Sequence, residues 1–469
     1  GAGTSGQVNA LSVDDSGRVY AGGEFSAAGE SVCHSVAGWN GSSWNALGNG
    51  LDTAAYALAC DRDGNLYAGG EFVMAGGKRG NHVARWDGES WHGLGNGVDS
   101  AVHALGCDND GRLYAGGAFL TAGGKSASRI AMWDGESWHS LGSGVDRDVR
   151  ALTLERSGDL IAAGLFFRAG GTASNPVARW DGEAWTPMPF PELEVGRYEK
   201  AFALAVDHEG AVYAGGEYKK SLRITAGTVM QWDGSSWSKI PSVGTSVGMS
   251  SSVRALVCGL DGSLYVGGNF RYAGALGARN LAMWNGTDYE LVGAGSPTAR
   301  TQAALAVDSS GNVFADDYVY DGSSWNRLGS GVDGMVYALT YDAATSRLYV
   351  GGRFASAGKK TSCCLAYCTI GKSGTVRPRH PMVGAAHGPR VVGRAGVGVE
   401  LPLPPRSTGV AAVRILDVAG REIASPAVGA TTSERNTVRC DMRSIPAGTY
   451  CWIVRSEASE VRGKMVLTR

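Results

Sequence analysis

The sequence predicts an all-β protein: an eight-bladed β-propeller of four-stranded blades, followed by a small immunoglobulin-like β-sandwich. A Gly-Gly pair ends a strand-like run at equal intervals, beginning at Gly22, Gly69 and Gly116. Each copy contains four short runs rich in apolar and aromatic residues, and turn residues separate them. A four-stranded unit of about 40–50 residues that recurs along a chain is typical of a propeller.

The second copy shows the repeat in full. Its strands are AAYALAC, NLYAGG, HVARW and a segment that begins at Trp91. The glycine pair becomes Ala163-Gly164 in the fourth copy and is absent from the seventh, which has the sequence VFADDYVYDGSSW. Eight copies predict eight blades over residues 1–376.

The segment WDGESW occurs twice, and its tryptophans are symmetric about a Gly-Glu turn. A hairpin centred there places the two rings opposite each other, where an aromatic pair contributes roughly 0.2–1 kcal/mol beyond Ala–Ala. We interpret the pairs as packing between blades; the alternative is a ring of ligand-stacking sites. The pairs are Trp39/Trp44, Trp86/Trp91, Trp133/Trp138, Trp180/Trp185 and Trp232/Trp237, with Trp284/Tyr289 and Tyr320/Trp325 as conservative versions.

The repeat resembles the kelch family, in which a double glycine ends the second strand and a tryptophan opens the fourth. Gly69-Gly70 and Trp91 carry the resemblance, with their counterparts in the other copies, over roughly residues 4–376. The third-strand aromatic departs from the family, because it is a Trp close to the fourth-strand Trp rather than a more distant Tyr. The repeats are even more similar to uncharacterised repeats of secreted bacterial surface proteins. The resemblance implies the fold and no particular function.

Composition excludes some classes of partner. The 43 Lys and Arg are balanced by 44 Asp and Glu, for a net charge of -1, so no global charge indicates nucleic acid or an acidic membrane. No apolar run approaches the ~18 residues needed to cross a bilayer, so no transmembrane segment is expected. The 72 Gly residues suit a chain with many tight turns. The oligomeric state is left open.

No cofactor, metal site or catalytic site is predicted. The segments DRDGN (61–65) and DNDGR (108–112) look like calcium loops, but strand residues follow at once, so we interpret them as turns. Copper-radical oxidases share the propeller architecture, yet the eight His are scattered and form no His/Cys cluster with metal spacing. No Ser/His/Asp arrangement or pair of carboxylates stands out, so a non-enzymatic role is expected.

The links between copies contain a recurrent aspartate. We interpret it as a strand-entry residue that satisfies backbone N–H groups, and an acidic rim that attracts cations is the alternative. The residues are Asp52, Asp99, Asp146 and Asp333.

Loops between the second and third strands differ most between copies and lie on the same face as these links. Variable loops on a rigid scaffold usually carry recognition, so we expect the partner site on this loop face. The seventh copy lacks the loop, and its Asp316-Asp317 predicts a tight hairpin that leaves a notch. The loop residues selected as binding candidates are Glu71, Lys78, Arg79, Lys125, Glu217, Lys219 and Lys220.

The composition changes after Gly371. Residues 377–396 are basic and rich in Pro and Gly, which predicts a linker, and 397–469 contain alternating strands that predict the sandwich. The order of VRILDVAGREI (413–423), IPAGTYCWIV (445–454) and KMVL (464–467) resembles the C-terminal sorting domain of the type IX secretion system. The resemblance implies secretion machinery as a partner and export across a Gram-negative outer membrane. Cleavage or retention of the domain stays open, and an ordinary immunoglobulin-like module is the alternative.

An exported protein permits disulfides. Cys60, Cys107 and Cys258 share one position at the end of the first strand and are interpreted as small buried hydrophobic residues. Two bridges are predicted. The predicted pairs are Cys440 with Cys451 in the tail, and Cys33 with Cys363 or Cys364 as a staple between the first and eighth blades, with Cys368 as a competing partner.

The sequence therefore predicts a protein of the extracellular space or the outer-membrane surface. Its expected role is non-enzymatic: adhesion, interaction or membership of an extracellular assembly, with a protein or a glycan at the cell surface as partner. The first alternative is a glycan-binding, lectin-like propeller. The second is a hydrolase or oxidase with its site at the channel mouth.

Overall fold

The structure, a computed structural model, divides into two compact units, Gly1–Val376 and Arg377–Arg469. It describes residues 3–174, 176–188, 199–221, 224–234, 236–240, 252–295, 304–308, 310–343, 345–357, 360–361 and 363–370, and the backbone of the strands between 391 and 468. The regular elements are β-strands, and none of the described residues belongs to a helix that could span a membrane.

The first unit is a closed ring of eight sheets, which confirms the predicted propeller. Seven sheets contain four strands in chain order, and the eighth contains three among the described residues. The first strands of successive blades are neighbours around the ring, and the first strand of blade 8 lies beside that of blade 1. These first strands therefore form the innermost layer.

The blades have regular bounds. The first strands are Gln7–Val13, Ala55–Cys60, Val102–Cys107, Val149–Leu154, Glu199–Val206, Ser252–Cys258, Leu305–Val307 and Met335–Asp342. The second strands are Val19–Glu24, Leu66–Gly70, Leu113–Gly117, Leu160–Gly164, Val212–Ser221, Leu264–Asn269, Val313–Ala315 and Arg347–Arg353. The third strands are Val36–Trp39, Val83–Trp86, Ile130–Trp133, Val177–Trp180, Ile224–Trp232, Leu281–Trp284, Tyr318–Tyr320 and Leu365–Thr369. The fourth strands are Trp44–Ala46, Trp91–Gly93, Trp138–Ser140, Trp185–Pro187, Trp237–Lys239, Tyr289–Glu290 and Trp325–Arg327.

The loop between the second and third strands takes three forms. In six blades it holds a short two-stranded hairpin, which we call the satellite hairpin; in blade 2 this is Met74–Ala75 with Lys78–Arg79. Blade 5 instead extends its second and third strands into one long hairpin. In blade 7, Ala315 pairs with Tyr318, so Asp316 and Asp317 form the two-residue turn that the sequence predicts. The other satellite hairpins are Ala27–Ala28 with Ser31–Val32, Thr121–Ala122 with Lys125–Ser126, Arg168–Ala169 with Thr172–Ala173, Tyr272–Ala273 with Leu276–Gly277, and Ser356–Ala357 with Lys360–Thr361.

The first glycine of the Gly-Gly pair allows adjacent blades to approach. A Cβ atom on Gly69 would lie 2.6 Å from Cγ1 of Val102 on the first strand of the next blade, closer than packed atoms tolerate. In blade 4 the equivalent residue is Ala163, and the residue at the place of Val102 is Ala201, which belongs to the same hydrophobic cluster. A smaller partner therefore compensates for the larger residue where the glycine is missing.

The tryptophan pairs pack at the blade boundaries. Trp86 and Trp91 are opposite each other in the ladder, with ring centroids 5.6 Å apart, and are only 5% and 2% exposed. Trp91 Nε1 donates to the Leu47 carbonyl of the preceding blade at 2.7 Å. The Trp86 ring lies against Gly48 in the same link, where a Cβ atom would be 3.3 Å from the ring. Both rings are thus held between two blades.

The described strands of the second unit form two sheets. One has five strands, ordered Val391–Arg394, Glu460–Thr468, Gly448–Arg455, Ala412–Leu416 and Glu422–Ala424, and the other has three, ordered Val399–Pro402, Thr437–Cys440 and Val428–Thr432. The strand Val391–Arg394 lies within the segment predicted to be a linker, where it pairs in parallel with Glu460–Thr468.

Candidate functional site

Among the described residues, the innermost strand carries one extra residue in seven blades. In blade 1, Val8 pairs with Gly23 and Ala10 pairs with Gly22, so Asn9 between them has no partner on the second strand. Such a β-bulge re-aims the side chain of the extra residue. Because the first strands form the inner layer of the ring, these positions lie along the wall of the central channel. We call them the bulge residues: Asn9, Tyr56, His103, Arg150, Phe202, Arg254 and Tyr337.

The second glycine of the Gly-Gly pair makes room for the bulge. A Cβ atom on Gly23 would lie 2.0 Å from the carbonyl oxygen of Gln7, and one on Gly117 would lie 2.1 Å from that of Ala101. No side chain can occupy this space, because the bulged backbone already fills it. A motif that closes the second strand therefore positions a side chain on the first strand.

Bulge residues contact the neighbouring blade, in two cases through its own bulge residue. The side chain of Asn9 donates to a backbone carbonyl of blade 2 at 3.0 Å. The rings of Tyr56 and His103 stack with their centroids 5.8 Å apart. The guanidinium of Arg254 lies 4.2 Å from the centre of the Phe202 ring, a cation–π contact. The bulge residues thus form a band of polar and aromatic groups along the channel wall.

Glutamates follow the Gly-Gly pair in three blades, at Glu24, Glu71 and Glu217, and so lie at the same end of the inner strands. Burial raises the pKa of Tyr56 to about 12, and the hydrogen bond to Glu71 and the charges of Glu71 and Glu24 act in the same direction. Tyr56 is therefore a neutral hydroxyl at physiological pH. We call the bulge residues together with these three glutamates the channel mouth.

The imidazole of His103 is the second titratable ring of the channel mouth. Burial lowers its pKa, and the positive charge of Arg150 lowers it further, while the charges of Asp148 and Glu71 oppose the shift. The net direction is downward, so His103 is mostly neutral at pH 7. Tyr56 and His103 thus provide uncharged hydrogen-bonding groups beside charged neighbours.

A cavity of about 500 Å³ opens at the channel mouth beside blades 4, 5 and 6. Its lining contains three cations and one carboxylate. Arg150 pairs with Asp148 at 2.9 Å, and Lys200 pairs with Glu217 at 3.0 Å. The residues that line it are Arg150, Leu165, Lys200, Phe202, Glu217 and Arg254. This arrangement suits a polar ligand that carries negative charge.

The structure separates the binding candidates selected from the sequence. Glu71 and Glu217 lie at the channel mouth, whereas Lys78, Arg79 and Lys125 lie on the satellite hairpins of blades 2 and 3. Lys125 lines a smaller cavity of about 190 Å³ together with Trp133 and Trp138. The side chains of Lys219 and Lys220 lie outside the described residues.

The recurrent link aspartates bind backbone. Asp99 Oδ1 accepts the N–H groups of Leu120 and Thr121 at 2.8 and 2.9 Å. Asp52, Asp146 and Asp333 make the same two contacts in their own blades. These aspartates therefore hold the satellite hairpin against the link, as the strand-entry interpretation requires.

The calcium-like segments form turns. Asp61 Oδ1 accepts the N–H groups of Asp63 and Asn65, and Asp108 Oδ1 accepts those of Asp110 and Arg112. Within the described part of the chain, no three His, Cys, Asp or Glu side chains form a group that could hold a metal ion.

The predicted cysteine staple is wrong in this structure, where Cys33, Cys363 and Cys364 are free thiols. Cys33 and Cys364 do belong to one hydrophobic cluster between blades 1 and 8, but the Cys364 thiol points to the Phe354 carbonyl of its own blade at 3.3 Å. Backbone and aromatic contacts join blades 1 and 8 instead. For example, the Thr4 N–H group donates to the Cys363 carbonyl. The other described free cysteines are Cys60, Cys107, Cys258 and Cys368.

The tail pair, Cys440 and Cys451, falls on strands of different sheets. Cys440 ends a strand of the three-stranded sheet, and Cys451 lies in the five-stranded sheet. Their side chains lie outside the described residues, so this bridge stays a prediction.

Sequence reasoning missed the bulge residues. The signal was present, because each copy of the repeat contains one variable position directly before an Ala-Leu pair: Asn, Tyr, His, Arg, Phe, Arg, Ala and Tyr in chain order. The other positions of the first strand are nearly the same in all copies of the repeat. A position that varies there indicates a side chain that is not packed in the core of the blade.

Comparisons with known proteins give fold-level likeness only. No protein-family model matches the chain, and no curated protein matches its sequence. Among solved structures, a chain of the mitotic checkpoint complex matches with 14% identity and a TM-score of 0.41, covering 77% of this chain and 89% of that one. An ulvan lyase of polysaccharide lyase family PL25 matches with 9% identity and a TM-score of 0.39, covering 78% and 94%. The GH74 enzyme of Niastella koreensis matches with 12% identity and a TM-score of 0.27, covering 98% and 92%. Similarity this distant carries no argument about function.

Proposed function

We propose that the protein is an exported interaction protein that binds its partner at the channel mouth and does not transform it chemically. One observation carries the proposal. In the seven bulged strands, one backbone position presents Asn, Tyr, His, Arg or Phe, whereas the residues directly before and after it are Val or Ala. A rigid scaffold that displays varied side chains at one place is typical of a recognition surface.

The contacts of the channel mouth support binding. The ion pairs of Arg150 and Lys200, and the ring contacts of Tyr56 and Arg254, fix these side chains before a partner arrives. Pre-organised groups bind at a lower cost in side-chain entropy. Adhesion, interaction or membership of an extracellular assembly would all use such a surface.

The likeness of residues 413–467 to a type IX sorting domain supports export. We therefore propose that the protein functions in the extracellular space or at the outer-membrane surface, and that its C-terminal unit binds the secretion machinery. Balanced charge in the whole chain agrees with a partner chosen by local contacts rather than by a global field.

A photocrosslinking residue at Leu165, inside the cavity, tests the proposal in cells that produce the protein. The matched control carries the same residue at the exposed Glu89, in a turn at the opposite end of a blade. We expect a surface partner to be captured at Leu165 and not at Glu89. Equal capture at both positions, or none at Leu165, would contradict binding at the channel mouth. Cleavage of the captured partner by the purified wild-type protein would contradict the non-enzymatic role.

A further inference from the structure

Arg254 differs from the other cations of the cavity. Its guanidinium carbon lies over the Phe202 ring, 4.2 Å from the ring centre, and its Nε donates to Ser252 Oγ at 3.0 Å. In the part of the chain that the structure describes, no carboxylate forms an ion pair with it. The ring contact and the hydrogen bond orient the guanidinium, whose remaining N–H groups match the geometry of a carboxylate.

The other charges of the cavity are balanced in pairs. Arg150 lies 2.9 Å from Asp148, and Lys200 lies 3.0 Å from Glu217. A ligand with dense negative charge would bring its own anions against these two carboxylates. A ligand with one carboxylate among many hydroxyls avoids this repulsion, because its hydroxyls donate to Glu217 and accept from Lys200 and Arg150.

Size and shape agree with a ligand made of sugar rings. The volume of about 500 Å³ lies in the range of small-molecule sites. Leu165 and Phe202 are the apolar residues of the lining, and they supply a surface for the C–H face of a sugar ring.

We propose that the cavity binds a carboxylate-bearing sugar unit of an acidic oligosaccharide, with Arg254 as the ligand of the carboxylate. The inference rests on the proposed function and specifies its partner as a glycan.

A peptide fits the cavity less well. Peptides are commonly bound along a free sheet edge or in an apolar groove. Here the first and second strands of blades 4, 5 and 6 are paired with each other, and charged side chains form most of the lining. An acidic peptide would also meet Asp148 and Glu217. A peptide ligand is therefore the outcome that overturns the proposal.

Calorimetric titration of the full chain tests it with three ligands of equal length: a galactose oligomer that carries one galacturonate unit, the matching neutral galactose oligomer, and a peptide of uncharged residues that carries one glutamate. We expect binding of the galacturonate-bearing oligomer alone. Loss of one charge-assisted contact weakens binding by about tenfold or more, so Arg254→Gln should weaken it by this factor. Arg254→Lys should recover only part of the loss, since lysine keeps the charge and lacks the planar fork.

Arg271→Gln is the matched control, because it removes the same charge from an exposed residue in the loop between the second and third strands of blade 6. It should leave the dissociation constant unchanged. Binding of the peptide or of the neutral oligomer as tightly as the acidic sugar, no binding of the acidic sugar, or an equal loss in Arg254→Gln and Arg271→Gln would each overturn the proposal. A protein captured at Leu165 without acidic-sugar binding would leave the proposed function intact and refute this inference alone.

Discussion

The indole of Trp91 is hydrogen-bonded to the backbone of Leu47 across the boundary between blades 1 and 2, at 2.7 Å. The same bond recurs at the next two blade boundaries. The partner ring, Trp86, is equally buried, but its Nε1 has no hydrogen-bond partner among the described residues. The two members of one aromatic pair therefore stabilise the boundary differently, one by packing and a hydrogen bond, the other by packing.

Replacing each indole by phenylalanine separates the two contributions. Trp91→Phe removes a donor from the Leu47 carbonyl, whereas Trp86→Phe removes an N–H group that is already unpaired. We expect Trp91→Phe to lower the free energy of unfolding by about 0.5–1.5 kcal/mol more than Trp86→Phe does. Urea unfolding at equilibrium measures both, and equal losses would show that the Trp91–Leu47 bond contributes nothing.

Truncation of Trp86 tests packing against ligand stacking. Trp86→Ala should lower the free energy of unfolding by about 3–5 kcal/mol, as expected for a buried aromatic residue. Wild-type stability combined with loss of ligand binding would mean that the tryptophan pairs are ligand platforms after all.

Acid should destabilise the propeller partly through the link aspartates. Burial alone would raise the pKa of Asp99, but the N–H groups of Thr121 and Leu120 outweigh it, and the net direction is downward. The folded pKa thus lies below the unfolded value of about 3.9, so the ionised form contributes stability above pH 4 and loses it as the pH falls through the folded pKa.

Asp99→Asn tests this contribution because the amide oxygen still accepts both N–H groups but does not titrate. The difference in free energy of unfolding between wild type and variant should shrink as the pH falls from 5 to 3, that is, over about two pH units around the unfolded pKa. Glu30→Gln is the control, since it removes a charge from an exposed residue that accepts no described hydrogen bond. A difference that stays constant with pH in Asp99→Asn would refute the linkage.

The fold was predictable because the repeat is local. Each blade repeats the same turns and glycines, and the ring follows from repetition; even the two-residue turn at Asp316 and Asp317 is set by a short stretch of sequence. The bulge residues depend on something else, the register between two strands. Asn9 has no partner on the second strand because the pairing register shifts between Val8 and Ala10. No residue type in the sequence predicts that shift.

The cysteine staple failed for a related reason. Alignment placed Cys33 and Cys364 at the approach to the third strands of touching blades, and the structure does bring them into one cluster. The direction of a side chain is not contained in such an alignment. Cys364 adopts a positive φ of 61°, and its thiol bonds within its own blade.

Deleting residues 397–469 separates the propeller from the predicted sorting domain. The two units are compact by themselves, so the shortened chain should retain the cooperative unfolding of the propeller. If the tail is a sorting domain, the truncated protein should accumulate in the periplasm, and cell fractionation with surface proteolysis measures this. Normal delivery of the truncated protein to the surface would refute the sorting assignment.

The contact between Gly69 and Val102 allows the sharpest test of the packing. A methyl group on Gly69 would lie 2.6 Å from Val102, so Gly69→Ala should cost about 1–3 kcal/mol through overpacking. At the equivalent position Gly22, the added Cβ atom would face Ala55 at 3.1 Å. Gly22→Ala should therefore cost less, and thermal or urea unfolding of the two variants compares them directly.

Blade 4 already contains the compensating pair, Ala163 with Ala201. Combining Gly69→Ala with Val102→Ala copies that pair into the boundary between blades 2 and 3. Because the two side chains would be in direct contact, the double variant should be more stable than the sum of the single losses predicts, with a coupling of about 0.5–3 kcal/mol. If the losses in free energy of unfolding of the two single variants simply add up, the first glycine is needed for its backbone conformation alone. The size of Ala201 would then not explain why blade 4 has an alanine at position 163.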